Sequence, residues 1–185
     1  MGRAKSIQQD IIDWSINVLE KPNKYLNNFP ACPYARVTRL KNKLKIKVNL
    51  RKNSFFQAVE RQIKIFPKEK KDLIIVADPN VDDVTPYCIQ YFVDTRNIAL
   101  QDENLYLMCF HPGSPATVEE HAFLADNDWD SSKVEPYMMI FMQELKLLQD
   151  ASNQLKRQGY YKNWPMDYYN EVVTPRQKLK PNIRR

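Results

Sequence analysis

Ile7, Ile11, Trp14, Val18 and Leu19 recur at the spacing of one helical face, and the pattern predicts an amphipathic helix over residues 6–20, ended by Pro22 and the polar run KPNKYLNN. From Lys43 the period changes to two. In KLKIKVNL, Leu44, Ile46, Val48 and Leu50 alternate with Lys or Asn, the pattern of a strand with one dry face and one basic, wet face. Ser54 followed by Gln57 has the form of a capping box, and Phe55, Phe56, Val59, Ile63 and Phe66 supply the stripe of a second helix stopped by Pro67. DLIIVADP is different in kind: residues 73–76 are continuously apolar, as in a strand covered on both faces. Asp82 or Asp83 is expected to cap a third helix with Pro86 in its first turn and Val84, Cys88, Tyr91, Phe92 and Ile98 on its core face. NLYLMCFH is the next strand, with Leu105, Leu107, Cys109 and His111 on one side and Tyr106, Met108 and Phe110 on the other. Pro112 and Pro115 forbid its continuation. Thr117 with Glu120 opens a short helix. After the acidic loop DNDWDSS, Val134, Tyr137, Met138, Phe141, Leu145, Leu148 and Leu155 predict a long helix over residues 134–158, ended by Gly159.

Helices alternating with strands define an α/β fold: a small sheet with flanking helices in two or three layers, a ferredoxin-like α+β arrangement being the alternative. A length of 185 residues suits one hydrophobic core. The expected organisation is a single α/β domain over residues 1–159 and a basic, aromatic extension over residues 160–185. The extension lacks periodicity and is expected to drape over the domain through its aromatics or to meet a partner.

Charge sharpens this picture. Residues 1–71 hold 17 basic and 5 acidic side chains, residues 72–156 hold 4 and 15, and residues 157–185 hold 7 and 2. Such polarity steers an anionic ligand or draws two copies of the chain together as a homo-oligomer. Tyr160, Tyr161, Trp164, Tyr168 and Tyr169, followed by Arg176, Lys178 and Lys180, have the types that stack bases and meet phosphates. Without a recognisable single-strand-binding motif, and with an acidic middle, nucleic acid ranks behind packing. Only 3 glycines argue against a glycine-cradled phosphate site. Three cysteines, an odd number without zinc-site spacing, favour a reducing compartment. No stretch has the run of about 20 apolar residues needed to span a bilayer, and residues 1–14 lack the apolar core of a secretion signal. A cytoplasmic protein with no membrane partner is expected.

Two residue types carry the candidate chemistry. Cys32 precedes Pro33, so it suits the N-cap of a short turn, where backbone N–H groups stabilise a thiolate and Arg36 and Arg39 add positive charge. A buried thiol beside Tyr34 is the plainer alternative. His111 stands at the carboxyl end of its strand, where open α/β sheets bind ligands, and suits a general base or a metal ligand. An ordinary hydrogen-bonded histidine is the alternative there. His121, Asp126, Asp128 and Asp130 add oxygen and nitrogen donors for a divalent metal alongside His111, although DNDWD lacks the glycine and terminal glutamate of a calcium loop.

Trp14, CPYAR at 32–36, the LIIVADP strand, CFHP at 109–112, Asp126 and EPYMMIF at 135–141 together resemble DUF1415, a family of small uncharacterised bacterial proteins. That family has a tryptophan followed by a Cys-Pro-Phe-Ala element, a later Phe-His-Pro element and an Arg-Ser-Pro-Tyr-Pro element before a helix. The first matches Cys32, Pro33, Tyr34 and Ala35, the second Phe110, His111 and Pro112, and the third Pro136 and Tyr137. Lys133, Val134 and Glu135 stand where the arginine and serine lie in the family, and Met138 replaces the last proline. The resemblance spans residues 11–150 and implies that Cys32 and His111 meet in space, without supplying a reaction. The resulting expectation is a small enzyme, or degenerate enzyme, acting on an anionic small molecule. Cys32, His111 and Arg36 would be catalytic, and Arg39, Tyr34 and Tyr137 would bind substrate. The alternatives are a non-enzymatic binder of nucleic acid or an acidic partner, and an assembly scaffold built on the long helix.

Overall fold

Four strands carrying the apolar runs form one mixed sheet in the computed structural model, which describes residues 2–23, 26–50, 54–114 and 135–182. In chain order the elements are α1 (Arg3–Trp14), continued by a π-helical turn (Ser15–Leu19), β1 (Pro22–Asn23), β2 (Phe29–Pro30), α2 (Ala35–Leu40), β3 (Leu44–Val48) and α3 (Phe55–Ile65). They continue with β4 (Leu73–Asp78), α4 (Pro86–Leu100), β5 (Leu105–Phe110), β6 (Met138–Glu144), α5 (Leu145–Arg157), α6 (Met166–Val172) and α7 (Thr174–Lys178). The sheet order is β3-β4-β6-β5, with β3 parallel to β4 and β6 antiparallel to both neighbours. Consequently β3, β4 and β5 end at the same edge of the sheet. The fold is α/β, and its strand-helix-strand-helix-strand-strand order differs from the split βαβ order of a ferredoxin-like domain.

Helices cover both faces. Phe55, Val59 and Ile63 of α3 and Ile89, Val93 and Leu100 of α4 pack on Ile74, Val76, Leu105, Leu107 and Ile140. On the other face, Ile7, Ile11 and Trp14 of α1 pack on Ile46, Ile75, Met139 and Phe141. The alternation expected of β5 is the one observed: Leu105, Leu107 and Cys109 join the first cluster, Met108 and Phe110 the second.

The long helix expected over residues 134–158 does not form as one element. Its first half is β6, and the helix begins only at Leu145. Residues 138–142 are all apolar, so they satisfy the helical period and the strand period alike. Burial decides between them: Met138, Ile140 and Met142 face α3 and α4 while Met139 and Phe141 face α1, which only a central strand allows.

Helix α4 turns a different face inward from the one expected. Ile89, Val93, Asn97 and Leu100 are buried, whereas Cys88, Tyr91 and Ile98 are exposed; Val84 and Phe92 pack at the margin. The polar Asn97 made the true core face look the poorer one. Its amide pairs with the outer edge of β5, donating to the Leu107 carbonyl at 3.0 Å and accepting from the Leu107 N–H at 2.8 Å. On the opposite edge strand, Gln8 Nε2 donates to the Ile46 carbonyl at 2.9 Å. Side-chain amides thus blunt both edges of the sheet. The cap of α4 is Thr85, whose hydroxyl accepts from the Cys88 N–H at 3.2 Å, rather than Asp82 or Asp83. Ser54 precedes α3 but its side chain makes no capping bond, so the expected capping box is not built.

Gly159 ends α5 as expected, at φ 86°. Gly159 N–H donates to the Lys156 carbonyl at 3.2 Å and Tyr160 N–H to the Leu155 carbonyl at 3.0 Å, the paired bonds of a Schellman turn. Residues beyond it lie back on the domain. Tyr160 packs with Leu26, Leu155, Phe29 and Trp164, and its hydroxyl donates to the Ala31 carbonyl at 2.6 Å. Gln149 Nε2 on α5 donates to the carbonyls of Arg176 at 2.7 Å and Leu179 at 2.9 Å, holding the extension along that helix.

Candidate functional site

Strand β4 ends in Asp78 and Pro79, and Pro79 cannot continue a ladder. Asp78 turns its carboxylate into the protein, where it is 4% exposed. Oδ2 accepts from Asn49 Nδ2 at 2.7 Å, and Oδ1 accepts from the Asn80 N–H at 2.9 Å and from Asn80 Nδ2 at 3.0 Å, an Asx turn closed by a second amide. No Lys or Arg forms an ion pair with Asp78 among the described residues. Asp78 lines a cavity of about 510 Å³ just beyond the carboxyl ends of β3 and β4, together with Arg3, Ser54, Asn80, Asp83 and Val84. In an α/β sheet this edge is where ligands bind.

His111 follows β5 at the same edge, with both ring nitrogens engaged. Nδ1 accepts from the Gly113 N–H at 2.9 Å, so Nε2 carries the proton and donates to the carbonyls of Val84 at 2.8 Å and Val81 at 3.1 Å. The ring is buried and ties the Val81–Asp83 turn, one wall of the cavity, to the sheet. It positions that wall. His111→Ala is expected to lower unfolding stability by about 3 kcal/mol, since it removes buried hydrogen bonds at both nitrogens and leaves their partners unpaired. Equilibrium urea unfolding checks this, and a change below about 0.5 kcal/mol, the size of an ordinary surface effect, would show that the latch carries no weight.

Cys32 lies elsewhere, on the side of the sheet covered by α1. Its N–H donates to the Leu19 carbonyl at 2.9 Å, and Leu19 packs with the α1 cluster, whereas Val81 and Val84 beside His111 pack with the α3 and α4 cluster. The sheet therefore stands between the two residues that the family resemblance implied would meet. As expected of the turn at Pro33, backbone N–H groups of Tyr34 and Ala35 face the thiol and favour its ionisation, but burial outweighs them and pushes the Cys32 pKa up. Glu20 adds to the rise and Arg176 opposes it. This is the wrong direction for a resting nucleophile at neutral pH.

Nor is Arg39 free. Arg39 grips Glu20 with two bonds, Nε to Oε1 at 2.9 Å and Nη2 to Oε2 at 2.7 Å, while Ser15 Oγ donates to Oε1 at 3.1 Å. The Arg39 hydrogen bonds hold the Glu20 carboxyl below its usual range. Arg36 is exposed and adds only its charge to that pair. Tyr34, more than a third exposed, precedes α2 in the capping position given to Cys32 by the sequence. The cation nearest in effect to Cys32 is Arg176, from the far end of the chain. It is buried, with Nη2 donating to Ser152 Oγ at 2.9 Å and to Tyr161 Oη at 3.2 Å. Sequence spacing offers no signal for that approach, because more than a hundred residues separate the partners.

Tyr137 is tied to α1: its hydroxyl donates to Asp10 Oδ2 at 2.6 Å, and burial together with that bond raises its pKa to about 12. Cys109 donates to Gln90 Oε1 at 3.1 Å, and burial pushes its thiol up to about 12. The resemblance motifs do meet in one place, since Trp14 contacts Phe110 and Phe141 edge-on at centroid distances of 6.1 and 6.5 Å. That meeting is apolar packing. His121, Asp126 and Asp128, named as metal donors, lie outside the described residues. Among the described residues, no group of three or more His, Cys, Asp or Glu side chains is placed to hold a metal ion.

Fold and site together define a small α/β protein with a mixed four-stranded sheet and a polar cavity at its carboxyl edge. Among the described residues, no helix is long and apolar enough to cross a membrane. Compared with known proteins, the chain matches no family model, no curated protein and no solved structure. The likeness to DUF1415 rests on its short motifs.

Proposed function

We propose that the protein binds a small polar molecule in the cavity beyond β3 and β4, with Asp78 as its recognition group. The observation that carries this reading is a buried carboxyl residue, aligned by Asn49 and Asn80, that lines a cavity and forms no ion pair with Lys or Arg among the described residues. Buried polar groups kept without a cationic partner are frequent at binding sites, where the ligand completes the set. The walls bear opposite signs: Asp78 and Asp83 against Arg3. They suit a ligand with a hydrogen-bond-donating group, such as an amine or hydroxyl, and a separate acceptor or anionic group. Among the described residues lining the cavity, Arg3 alone keeps a place for the anionic substrate that the chain's basic half suggests.

Cys32 and His111 support this reading as structural groups: His111 shapes the wall, and Cys32 anchors α2. The extension's aromatic rings contact one another, with Tyr161 against Trp164 at 4.9 Å and Trp164 against Tyr168 at 4.8 Å, which favours packing over stacking on bases. The test is a thermal-shift and calorimetric screen of amino acids, amino sugars and nucleosides against wild type, Asp78→Asn and the rim variant Asp83→Asn. A ligand that binds wild type is expected to lose roughly 10- to 100-fold in affinity with Asp78→Asn, the worth of a charged hydrogen bond. Because Asp83 is exposed, its variant keeps the fold and should weaken binding less. Undiminished affinity in both variants would refute the assignment.

A further inference from the structure

Helix α4 carries an apolar stripe that the other described residues leave uncovered. Tyr87, Tyr91 and Ile98 are 77%, 63% and 66% exposed, and the two tyrosine rings stack at 6.3 Å with an interplanar angle of 18°. At about 100° per residue these three and Asp94 fall within roughly 60° of arc, over a length of about 16 Å. Ordinary surface helices scatter such residues singly, and a run of three large ones along a single line marks a contact surface.

A second uncovered patch has the opposite charge. On α2, Val37 and Leu40 are 47% and 65% exposed and adjacent on the helix surface, with exposed Arg36 on one side and Lys41 on the other. The α4 stripe holds Asp94 and lies in the part of the chain with 15 acidic against 4 basic side chains; α2 lies in the part with 17 basic against 5 acidic. Lys43 and Lys45 on the basic side are paired with Asp72 and Glu69, whereas among the described residues no ion pair engages Arg36 or Lys41.

We infer that the α4 stripe of one molecule docks on the α2 patch of a second copy. Apolar contact between Tyr87, Tyr91 or Ile98 and Val37 or Leu40 drives the association, while Asp94 against Arg36 and Lys41 sets its polarity. Two α4 stripes facing each other would instead bring Asp94 close to its own copy, and that mismatch favours the head-to-tail mode. Because α4 covers one face of the sheet and α2 lies beside the π-helical turn on the other, a pair of molecules does not make both contacts at once; each keeps one patch of each kind free, and assembly proceeds to a ring or an open chain instead of stopping at a two-fold dimer. The patches are small. The interface falls at the low end of specific contacts, in the range of transient association.

The test is light scattering coupled to size exclusion on the full chain, from about 1 to about 200 µM at low salt, since micromolar affinity corresponds to interfaces of this modest class. Wild type should show an average mass that rises with concentration and falls on raising the salt to about 0.5 M, where the Debye length drops to a few ångströms. Two surface variants are made: Tyr87→Ser with Tyr91→Ser, and Val37→Ser with Leu40→Ser. Each alone should stay monomeric with an unchanged melting temperature, and an equimolar mixture should form 1:1 dimers and nothing larger. A monomeric wild type throughout, variants that associate as wild type does, or a mixture that stays monomeric would each overturn the proposal. An α2 variant that still associates would identify a symmetric α4 contact, and a mixture that stays monomeric a different partner for the stripe.

Discussion

Ile140→Ala is expected to destabilise the protein by about 4 kcal/mol, enough to consume a large part of the stability of a domain this size. Ile140 is fully buried at the centre of β6, opposite Val76 on β4 and Cys109 on β5. No neighbouring strand can shift to fill the space, because each is held by a ladder on one side and a helix above. The substitution also discriminates between two architectures. On a helix over residues 134–158, the inward face would carry Tyr137, Met138 and Phe141, and Ile140 would lie off it, where truncation changes stability by less than about 0.5 kcal/mol. Guanidinium unfolding of Ile140→Ala beside Leu147→Ala, an exposed site on α5, measures the contrast. Equal, small effects at both positions would contradict a central strand.

A second large effect is expected from Asn97→Ala, about 3 kcal/mol, from a residue that periodicity places on no core face. The amide completes both hydrogen-bonding groups of Leu107, and alanine would leave a buried N–H and a buried carbonyl without partners. The loss has a further consequence. With Asn97 gone, the outer edge of β5 presents free strand groups, and the variant should scatter light at concentrations where wild type stays clear. Asn97→Asp keeps the acceptor for Leu107 N–H but turns an oxygen toward the Leu107 carbonyl, so it should not restore stability. Full restoration by aspartate would show that only one of the two bonds matters.

The elements most legible in the sequence are those whose pattern admits one period. KLKIKVNL alternates strictly and forms β3; the Phe55 to Phe66 stripe forms α3 and the short turn after it; Gly159 stops α5 because the chain needs a positive φ there. Where the apolar residues satisfy two periods, as in residues 138–142, or surround a helix on all sides, as in α4, local pattern has two answers and the core selects between them. The candidate site divides in the same way. His111 was legible as a strand-end histidine, and its local partners Gly113, Val81 and Val84 are close in sequence or follow from the sheet edge. Asp78 is not legible as a site residue because DP reads as a strand stop; the Asn80 turn is local, but the Asn49 amide that completes the carboxylate's partners arrives from beside the parallel neighbour.

What the chain alone determined, then, is the α/β class, the positions of α1, α3, α4 and of strands β3, β4 and β5, the faces of β5 and the polarity of its charge. These depend on residues two to four positions apart, which local geometry brings together in any fold. Tertiary structure decided that β6 inserts between β4 and β5, that Cys32 and His111 lie on opposite sides of the sheet, and that Asp78 lines a cavity. Those outcomes follow from the order of strands in the sheet, and strand order is set by which buried faces fit together across long stretches of chain, information no single window of sequence contains.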